Sequence, residues 1–355
     1  MIALLEAAPV RDPRIRVMVV DDSAIVRGLI VQTLERDPAL RVVARAANGE
    51  AALIELARTA VDVVVLDIEM PVMDGLTALP LILKLQSEAR VVMASTLTRR
   101  NARISLQALQ AGAADYVPKP ETGGLVGADE FARELTAKVK ALGGRGAALT
   151  APSPAITRPA SLSPPVRPQV VAIGGSTGAP PALMSLFADL KGELEQAVLL
   201  TQHMPPTFTA MLAEQLERTG ERPAGEARDG EPILPGRIYV APGGWHMTVG
   251  RSGKVPVIRL NQEAPEHFCR PSVDPMLRSA AAVYGPGVLA VILTGMGADG
   301  AEGCRAVAEA GGRFVVQDEA TSVVWGMPGA AARTGLAEAV LPLNQIAPWV
   351  RRACA

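Results

Sequence analysis

Five polar residues suited to binding a metal ion and a phosphate follow short apolar segments in the first half of this 355-residue chain. Asp21 and Asp22 follow one segment, Asp67 another, and Ser95 and Lys119 follow two more. Carboxylates are preferred Mg²⁺ ligands, and a lysine and a hydroxyl can bind phosphoryl oxygens. The pattern predicts a magnesium-dependent phosphoryl site, although isolated Asp-Asp and Asp-Gly pairs are also common as helix caps and turns.

A serine, a histidine and an aspartate follow apolar segments in the second half of the chain. Ser176 lies in GGSTG after VVAI, His203 follows AVLLTQ, and Asp299 lies in TGMGADG after VLAVIL. A serine on a glycine-flanked turn from strand to helix is exposed. The chain has only three histidines, the others being His246 and His267, so few general bases are available. This set indicates nucleophilic catalysis with a base and an orienting carboxylate.

Other interpretations of these motifs remain open on the residues alone. Asp299 is also placed to be a helix N-cap. The segment GMGADG satisfies the G-x-G-x-x-G pattern of dinucleotide-binding loops, and Asp318 follows it at the end of a further apolar segment. A second half that only binds a partner is a third possibility. The chain order Ser, His, Asp also differs from the Ser, Asp, His order of α/β-hydrolases.

The elements that must position these residues alternate between short strands and longer helices. In the first half we predict strands at 15–20, 41–44, 61–66, 90–94 and 116–117, with helices at 23–36, 76–86, 99–110 and 129–142. Such alternation predicts a parallel, flavodoxin-like α/β domain with its ligands beyond the carboxyl ends of the strands.

The second half repeats this alternation of strands and helices. We predict strands at 170–173, 197–201, 237–241, 288–293 and 313–316, with a hairpin at 248–260. It is therefore expected to form a doubly wound α/β domain with a hairpin.

A proline-rich segment separates the two halves. Residues 151–168 contain six prolines in eighteen positions and show no sustained apolar periodicity, which is typical of a linker. We therefore predict a first domain at 15–142, a linker at 143–168 and a second domain at 169–355.

The composition argues against several classes of protein. The chain has 35 Lys+Arg against 36 Asp+Glu and only 3% aromatic residues, which disfavours a nucleic-acid partner. Its three cysteines lack C-x-x-C spacing, which disfavours a zinc cluster or disulfide framework. The N-terminal residues lack the cationic segment of a secretion signal, and glycines and a proline interrupt the uncharged run 279–298. We expect no membrane insertion and a cytoplasmic location.

The first half resembles the response-regulator receiver domain of two-component signalling. The resemblance is carried by VMVVDDS, LDIEMPVMDG, MAST and DYVPKP, within 15–142. It implies that Asp67 accepts a phosphoryl group from a histidine kinase and that the domain uses Mg²⁺. The metal site it implies comprises Asp22, Asp67 and the carbonyl of Glu69, with Asp21 close by. The phosphoryl contacts it implies are Ser95 and Lys119.

The second half resembles the catalytic domain of the chemotaxis protein-glutamate methylesterases. The matching segments are AIGGSTG, QHMP, YVAPGGWHM, HFCRPSVDPML and LTGMGADGAEG, between about 170 and 335. The resemblance implies that Ser176 is the nucleophile, His203 the general base and acid, and Asp299 the orienting carboxylate. It also implies that the backbone N–H of Met296 contributes to an oxyanion hole.

Together the two resemblances imply a phosphorylation-activated serine hydrolase of chemotaxis. The reaction would convert glutamate γ-methyl esters on chemoreceptors to glutamate and methanol, and would also deamidate receptor glutamines. Chemoreceptors would be the substrate and a chemotaxis histidine kinase the phosphodonor, with no cofactor in the catalytic half. One departure is that Gly175 and Ala179 stand where the family often has Ala and Gly, which we expect to alter loop packing and not chemistry.

Overall fold

The chain forms two compact units. The computed structural model describes residues 12–96, 98–119, 125–144 and 166–355, with side chains in the third range from residue 129. Most of the predicted linker therefore lies outside the described residues. None of the described helices is long and apolar enough to cross a membrane.

The first half contains five strands and five helices in the part that the structure describes. The strands are β1 Ile15–Val20, β2 Leu40–Ala46, β3 Val63–Asp67, β4 Arg90–Ser95 and β5 Asp115–Pro118. The helices are α1 Ala24–Glu35, α2 Gly49–Leu56, α3 Gly75–Leu85, α4 Arg99–Gln110 and α5 Leu125–Gly143. The strand order β2-β1-β3-β4-β5 confirms the flavodoxin-like prediction. The pairs β1–β2, β1–β3 and β3–β4 are parallel.

The central strands of this sheet are apolar on both faces because helices cover both sides of such a sheet. Every residue of β3 is buried, and so are the last four residues of β1. The helices that follow β1 and β3 begin at side-chain caps. Ser23 Oγ accepts a hydrogen bond from Val26 N–H, and Asp74 Oδ1 accepts one from Thr77 N–H at 2.7 Å. The polar residues after each strand therefore lie on short loops between rigid elements.

The second half contains nine strands and six α-helices among residues 166–355. The strands are β6 Val170–Gly175, β7 Ala197–Gln202, β8 Ala224–Glu226, β9 Ile238–Val240, β10 His246–Ser252, β11 Val255–Asn261, β12 Val288–Ile292, β13 Arg313–Gln317 and β14 Ala339–Leu341. The helices are α6 Ala179–Asp189, α7 Phe208–Gly220, α8 Val273–Tyr284, α9 Ala301–Glu309, α10 Met327–Ala332 and α11 Leu343–Cys354.

Seven of these strands form one parallel sheet in the order β14-β13-β12-β6-β7-β9-β8. Strands β10 and β11 form the predicted antiparallel hairpin. The prediction of five sheet strands was incomplete, because β8 and β14 are three-residue strands at the two edges. The chain passes from β6 to β7 on one side and continues through β12 on the other. The strand order therefore reverses beside β6, where ligands bind in doubly wound sheets.

Candidate active site

The Ser176 loop is held between the ends of the two strands that flank β6. Ser176 N–H donates to the carbonyl of Thr294 after β12 at 3.1 Å. On the other side, Gln202 Nε2–H at the end of β7 donates to the carbonyl of Ser176 at 2.9 Å. Gly178 then takes a φ of +77° directly before α6, a conformation that favours glycine. The serine therefore lies partly exposed at the carboxyl edge of the sheet, next to a helix N-terminus.

The departure from the family pattern at Gly175 and Ala179 has a packing explanation. A Cβ on Gly175 would lie 2.5 Å from the Cβ of Ala179, which is closer than two carbon atoms can approach. The two positions therefore share space for one methyl group, which this chain places at 179. That the exchange alters loop packing and not chemistry stays a prediction.

His203 and Asp299 form a direct pair across the carboxyl edge of the sheet. His203 follows β7, Asp299 lies between β12 and α9, and His203 Nε2 is 2.7 Å from Asp299 Oδ2. The Asp299 side chain is 1% exposed. Four further donors satisfy its oxygens at 2.7–3.0 Å: the Ser272 hydroxyl and the N–H groups of Val273, Asp274 and Gly300.

These contacts keep Asp299 ionised. Burial alone would raise the pKa of the Asp299 carboxyl, but the His203 ring and the N–H and O–H donors outweigh it and lower that pKa to about 2. An ionised Asp299 requires the proton of a neutral imidazole to be on Nε2. The other ring nitrogen, Nδ1, is then left to accept a proton, which is what a general base needs.

The Cys269 thiol is a third group at this site, and the residue analysis did not single it out. It lies close enough to the His203 imidazole to favour its protonation. Burial opposes protonation of the imidazole, whereas Cys269 and Asp299 favour it, and together they raise the pKa of His203. Cys269 comes from an irregular loop, so its only sequence signal is its place in the HFCRPSVDPML segment.

The two remaining histidines contact residues that hydrogen-bond to Asp299. His246 is buried; its Nδ1 accepts the Ser272 N–H at 3.2 Å, and its Nε2 lies 3.1 Å from a backbone carbonyl. His267 Nε2 lies 2.9 Å from Asp274 Oδ2. Ser272 and Asp274 both donate to Asp299. These two histidines therefore contact the neighbours of Asp299, and His203 is the histidine that hydrogen-bonds to Asp299 itself.

The β12 loop also approaches Ser176 closely at Gly295. A Cβ at Gly295 would lie 2.9 Å from Ser176 Cβ and 3.1 Å from Ser176 N. Met296, whose N–H is the predicted oxyanion donor, follows directly in the chain. This close packing needs glycine at 295 and brings the backbone of the β12 loop against Ser176. The oxyanion role of the Met296 N–H stays a prediction.

Asp318, which the dinucleotide interpretation requires for a ribose, is used locally. Its Oδ1 accepts hydrogen bonds from the Thr321 N–H at 3.0 Å and the Thr321 hydroxyl at 2.6 Å. The carboxylate therefore caps a turn. The GMGADG loop meanwhile carries Gly295 against Ser176 and Asp299 against His203.

A second polar cluster occupies the carboxyl edge of the five-stranded sheet. Ligand atoms of Asp21, Asp22 and Asp67 lie within 4.8 Å of one another. Lys119 Nζ lies 2.7 Å from Asp21 Oδ2 and 2.6 Å from Asp67 Oδ1. Burial raises the pKa of the Asp67 carboxyl, and Lys119 offsets that rise only in part. The structure thus brings together four of the residues predicted for the phosphoryl site.

The donor set of this cluster fits Mg²⁺, which binds one or two carboxylates and fills its octahedron with carbonyls, phosphate oxygens and water. Ser95 is the last residue of β4, and its hydroxyl accepts a hydrogen bond from the Ser105 hydroxyl at 3.0 Å. Glu69 lies on the loop that follows Asp67. Metal binding by the Glu69 carbonyl and phosphoryl contact by Ser95 stay predictions.

Comparison with known proteins gives consistent relatives for both halves. The family profile for CheB methylesterase matches residues 171–350, and that for the response regulator receiver domain matches residues 17–126. The protein-glutamate methylesterase/protein-glutamine glutaminase of group 2 operon from Rhodospirillum centenum is 52% identical over 371 residues, covering 96% of this chain and 94% of that protein.

One further relative matches nearly the whole chain, and one solved structure matches the second half alone. Protein-glutamate methylesterase/protein-glutamine glutaminase 2 of Caulobacter vibrioides is 51% identical over 340 residues, covering 94% of this chain and 97% of that protein. The crystal structure of the Thermotoga maritima CheB methylesterase catalytic domain matches with a TM-score of 0.51 and 37% identity, over 53% of this chain and 99% of that domain.

Proposed function

The chain belongs to the CheB methylesterase family, and we propose that it hydrolyses glutamate γ-methyl esters on chemoreceptors under the control of its receiver domain. The observation that carries the proposal is the 2.7 Å pair between His203 and Asp299 at the sheet edge where the Ser176 loop is held. These three residue types are those of a serine hydrolase, and each follows a strand at the edge where doubly wound sheets bind ligands.

In the first half-reaction the Ser176 oxygen forms a bond to the ester carbonyl carbon. The imidazole of His203 takes the serine proton on Nδ1, because Nε2 donates its proton to Asp299. The tetrahedral intermediate then collapses, the carbon–methoxy bond breaks, and His203 returns the proton to the leaving methoxide. Methanol leaves and the glutamyl group stays on Ser176 as an ester. Asp299 remains ionised throughout and stabilises the imidazolium.

In the second half-reaction water replaces methanol. His203 takes a proton from water, and the water oxygen attacks the acyl carbon. The bond to Ser176 then breaks as His203 returns the proton to the serine oxygen, which frees the glutamate side chain and regenerates the serine hydroxyl. The Met296 N–H is proposed to bind the oxyanion in both halves, a contribution of about 3 kcal/mol per donor in similar sites. A glutamine side chain would follow the same path with ammonia as the leaving group, so the same residues serve deamidation.

The test of this mechanism is methanol release from chemoreceptor membranes carrying labelled methyl esters. Full-length protein is expected to release methanol, and Ser176→Ala is expected to reduce the rate to that of membranes alone. Thr248→Ala is a matched control, since it removes an exposed hydroxyl on the hairpin whose partner is the Arg259 carbonyl. Equal rates for Ser176→Ala and the unchanged protein would overturn the assignment.

The receiver domain is proposed to accept a phosphoryl group on Asp67 from a chemotaxis histidine kinase. Asp21, Asp22, Asp67 and the Glu69 carbonyl are the proposed metal residues, and bound Mg²⁺ would neutralise charge on the phosphoryl group. Lys119 contacts Asp67, and both Lys119 and Ser95 are proposed to contact phosphoryl oxygens. The cytoplasmic location expected from the sequence belongs to the same proposal.

A small phosphodonor with Mg²⁺ tests this regulation without the kinase. We expect it to raise methanol release by the unchanged protein and to leave Asp67→Asn at its basal rate. Asp37→Asn is the control, because that aspartate pairs with Lys140 away from the cluster. A full response by Asp67→Asn would contradict the assignment.

A further inference from the structure

A buried amide contacts the backbones of both the serine and the histidine of the candidate active site. Gln202 is the last residue of β7, one position before His203, and its side chain is buried, with the residue 2% exposed. Its Nε2 donates to the carbonyl of Ser176 at 2.9 Å and lies 3.5 Å from the carbonyl of His203. Because an amide nitrogen carries two hydrogens, this one NH₂ group can supply a hydrogen to each carbonyl.

The Gln202 side chain continues the connection between β6 and β7 beyond their backbone pairing. That pairing closes with a hydrogen bond from the His203 N–H to the carbonyl of Gly175 at 3.2 Å. The next residue, Ser176, directs its N–H to the carbonyl of Thr294 on the β12 side instead. Among the described residues, the Gln202 amide therefore supplies the hydrogen bond that ties Ser176 itself to β7.

The Gln202 amide makes this contact while one of its own atoms stays unsatisfied. Its Oε1 is buried and has no donor within the part of the chain that the structure describes, and such an atom destabilises a fold. Turning the amide over would not help, because Oε1 would then face two carbonyl oxygens, which cannot donate. A methionine of the same length would fill this space without an unsatisfied acceptor. Packing alone therefore does not account for a glutamine at 202.

A second buried glutamine, at the other end of β7, makes the same kind of contact away from the site. Gln196 directly precedes β7 and is also buried. Its Nε2 donates to the carbonyls of Pro168 and Cys354, at 3.2 Å each. Pro168 lies before β6 and Cys354 ends α11, so Gln196 joins segments of the fold. Gln202 differs in that it joins the two residues between which a proton is proposed to move.

We infer that Gln202 is a positioning residue that holds Ser176 and His203 at the separation that proton transfer between them requires. The inference rests on the proposed function, in which His203 takes the serine proton. The Ser176 carbonyl also accepts the Ala179 N–H at 3.0 Å, so removal of the Gln202 amide would not leave that carbonyl unpaired. Removal would instead release Ser176 from β7. A displacement of about 1 Å between reacting groups lowers the rate about 10²-fold.

The experiment replaces each glutamine by methionine, which has the same length and cannot donate. Full-length protein is assayed by methanol release from chemoreceptor membranes with labelled methyl esters and by urea unfolding. Gln202→Met is expected to lower kcat about 10²-fold and to leave KM within about twofold. Its urea midpoint should move by less than about 0.5 M, because an unsatisfied acceptor is removed together with the hydrogen bond. Gln196→Met is the matched control. It should keep kcat and KM within about twofold and lower the urea midpoint more than Gln202→Met does.

Each alternative outcome is distinct. An unchanged kcat in Gln202→Met would overturn the inference, and so would an equal loss of kcat in Gln196→Met. A rise in KM alone would overturn it by showing that Gln202 acts on substrate binding. A Gln202→Met protein that does not fold would also overturn it, because the amide would then serve the fold. Failure of the folded, unchanged protein to release methanol would overturn the proposed function itself, and this inference with it.

Discussion

Replacing Asp299 by asparagine removes the charge that orients His203 and leaves the shape of the side chain almost unchanged. Five donors converge on the carboxylate: the Ser272 hydroxyl, the His203 ring and the N–H groups of Val273, Asp274 and Gly300. Three of them bind Oδ1 and two bind Oδ2. The amide NH₂ of asparagine therefore takes the Oδ2 position, where it loses fewer contacts.

An NH₂ group at the Oδ2 position affects both the stability of the fold and kcat. The Val273 N–H, which binds Oδ2 at 2.7 Å, would then face another N–H and lose its acceptor. The lost hydrogen bond and the lost charge together should lower the free energy of unfolding by about 2–4 kcal/mol. The NH₂ would also require a lone pair on His203 Nε2, which moves the ring proton to Nδ1. The imidazole could then no longer accept the serine proton, and kcat would fall by about 10⁴, as when the orienting carboxylate of other triads is replaced.

The stability effect should depend on pH. The folded pKa of Asp299, about 2, lies below its ordinary value of 3.8, so the carboxylate stabilises the fold above about pH 4 and loses that contribution as the pH falls toward 2. The difference is worth about 2 kcal/mol. The unfolding free energies of Asp299→Asn and the unchanged protein should therefore converge as the solution is acidified.

The assays are hydrolysis of N-acetylglutamate γ-methyl ester and urea unfolding at several pH values. Asp274→Asn is a matched control, because it neutralises the adjacent buried carboxylate. Burial and the charge of Asp299 both raise the pKa of that carboxyl. Its amide can keep the bonds to Gly303 and His267, so we expect kcat within about fivefold. A loss of less than about tenfold in kcat for Asp299→Asn, or an equal loss for Asp274→Asn, would contradict the orienting role of Asp299.

Two further changes test the packing of each site. Gly295→Ala places a Cβ 2.4 Å from Met327 Sδ and 2.9 Å from Ser176 Cβ. We therefore expect kcat to fall about 10²-fold while circular dichroism still shows a folded protein. An unchanged kcat would contradict the close approach of Gly295 to Ser176. Lys119→Met leaves the two buried aspartates it bridges without a counter-charge, so urea unfolding at pH 7 should show a loss of about 3–5 kcal/mol. That loss should shrink as acid protonates the carboxyls, and a loss independent of pH would argue against the ion pairs as its cause.

The residues of the candidate active site could be predicted to lie together because parallel strands end at one edge of a sheet. Ser176, His203 and Asp299 each follow a strand with an evident apolar run, and the three strands are neighbours in the sheet. The same holds for Asp21, Asp67 and the other polar residues of the five-stranded sheet. Spacing along the sequence therefore sufficed to bring each set to one edge.

The features that the sequence analysis missed depend on tertiary packing. Helix α2 and strands β8 and β14 are short, so their residues show too little periodicity to be recognised alone. Cys269 approaches His203 from the irregular loop between β11 and α8, and the shape of this loop is set by its ion pairs to α8. The need for glycine at 295 likewise appears only when the Ser176 loop is placed against it.

The central claim is that Ser176, and not the nearby Cys269, forms the covalent bond to the acyl group. The direct measurement uses a fluorophosphonate ester, which phosphonylates activated serines. The labelled full-length protein is digested, and mass spectrometry identifies the peptide that carries the adduct. We expect one adduct, on the peptide that contains Ser176, and expect it to form far more slowly in Asp299→Asn. An active enzyme that carries the adduct on another residue, or that is labelled equally fast without Asp299, would contradict it.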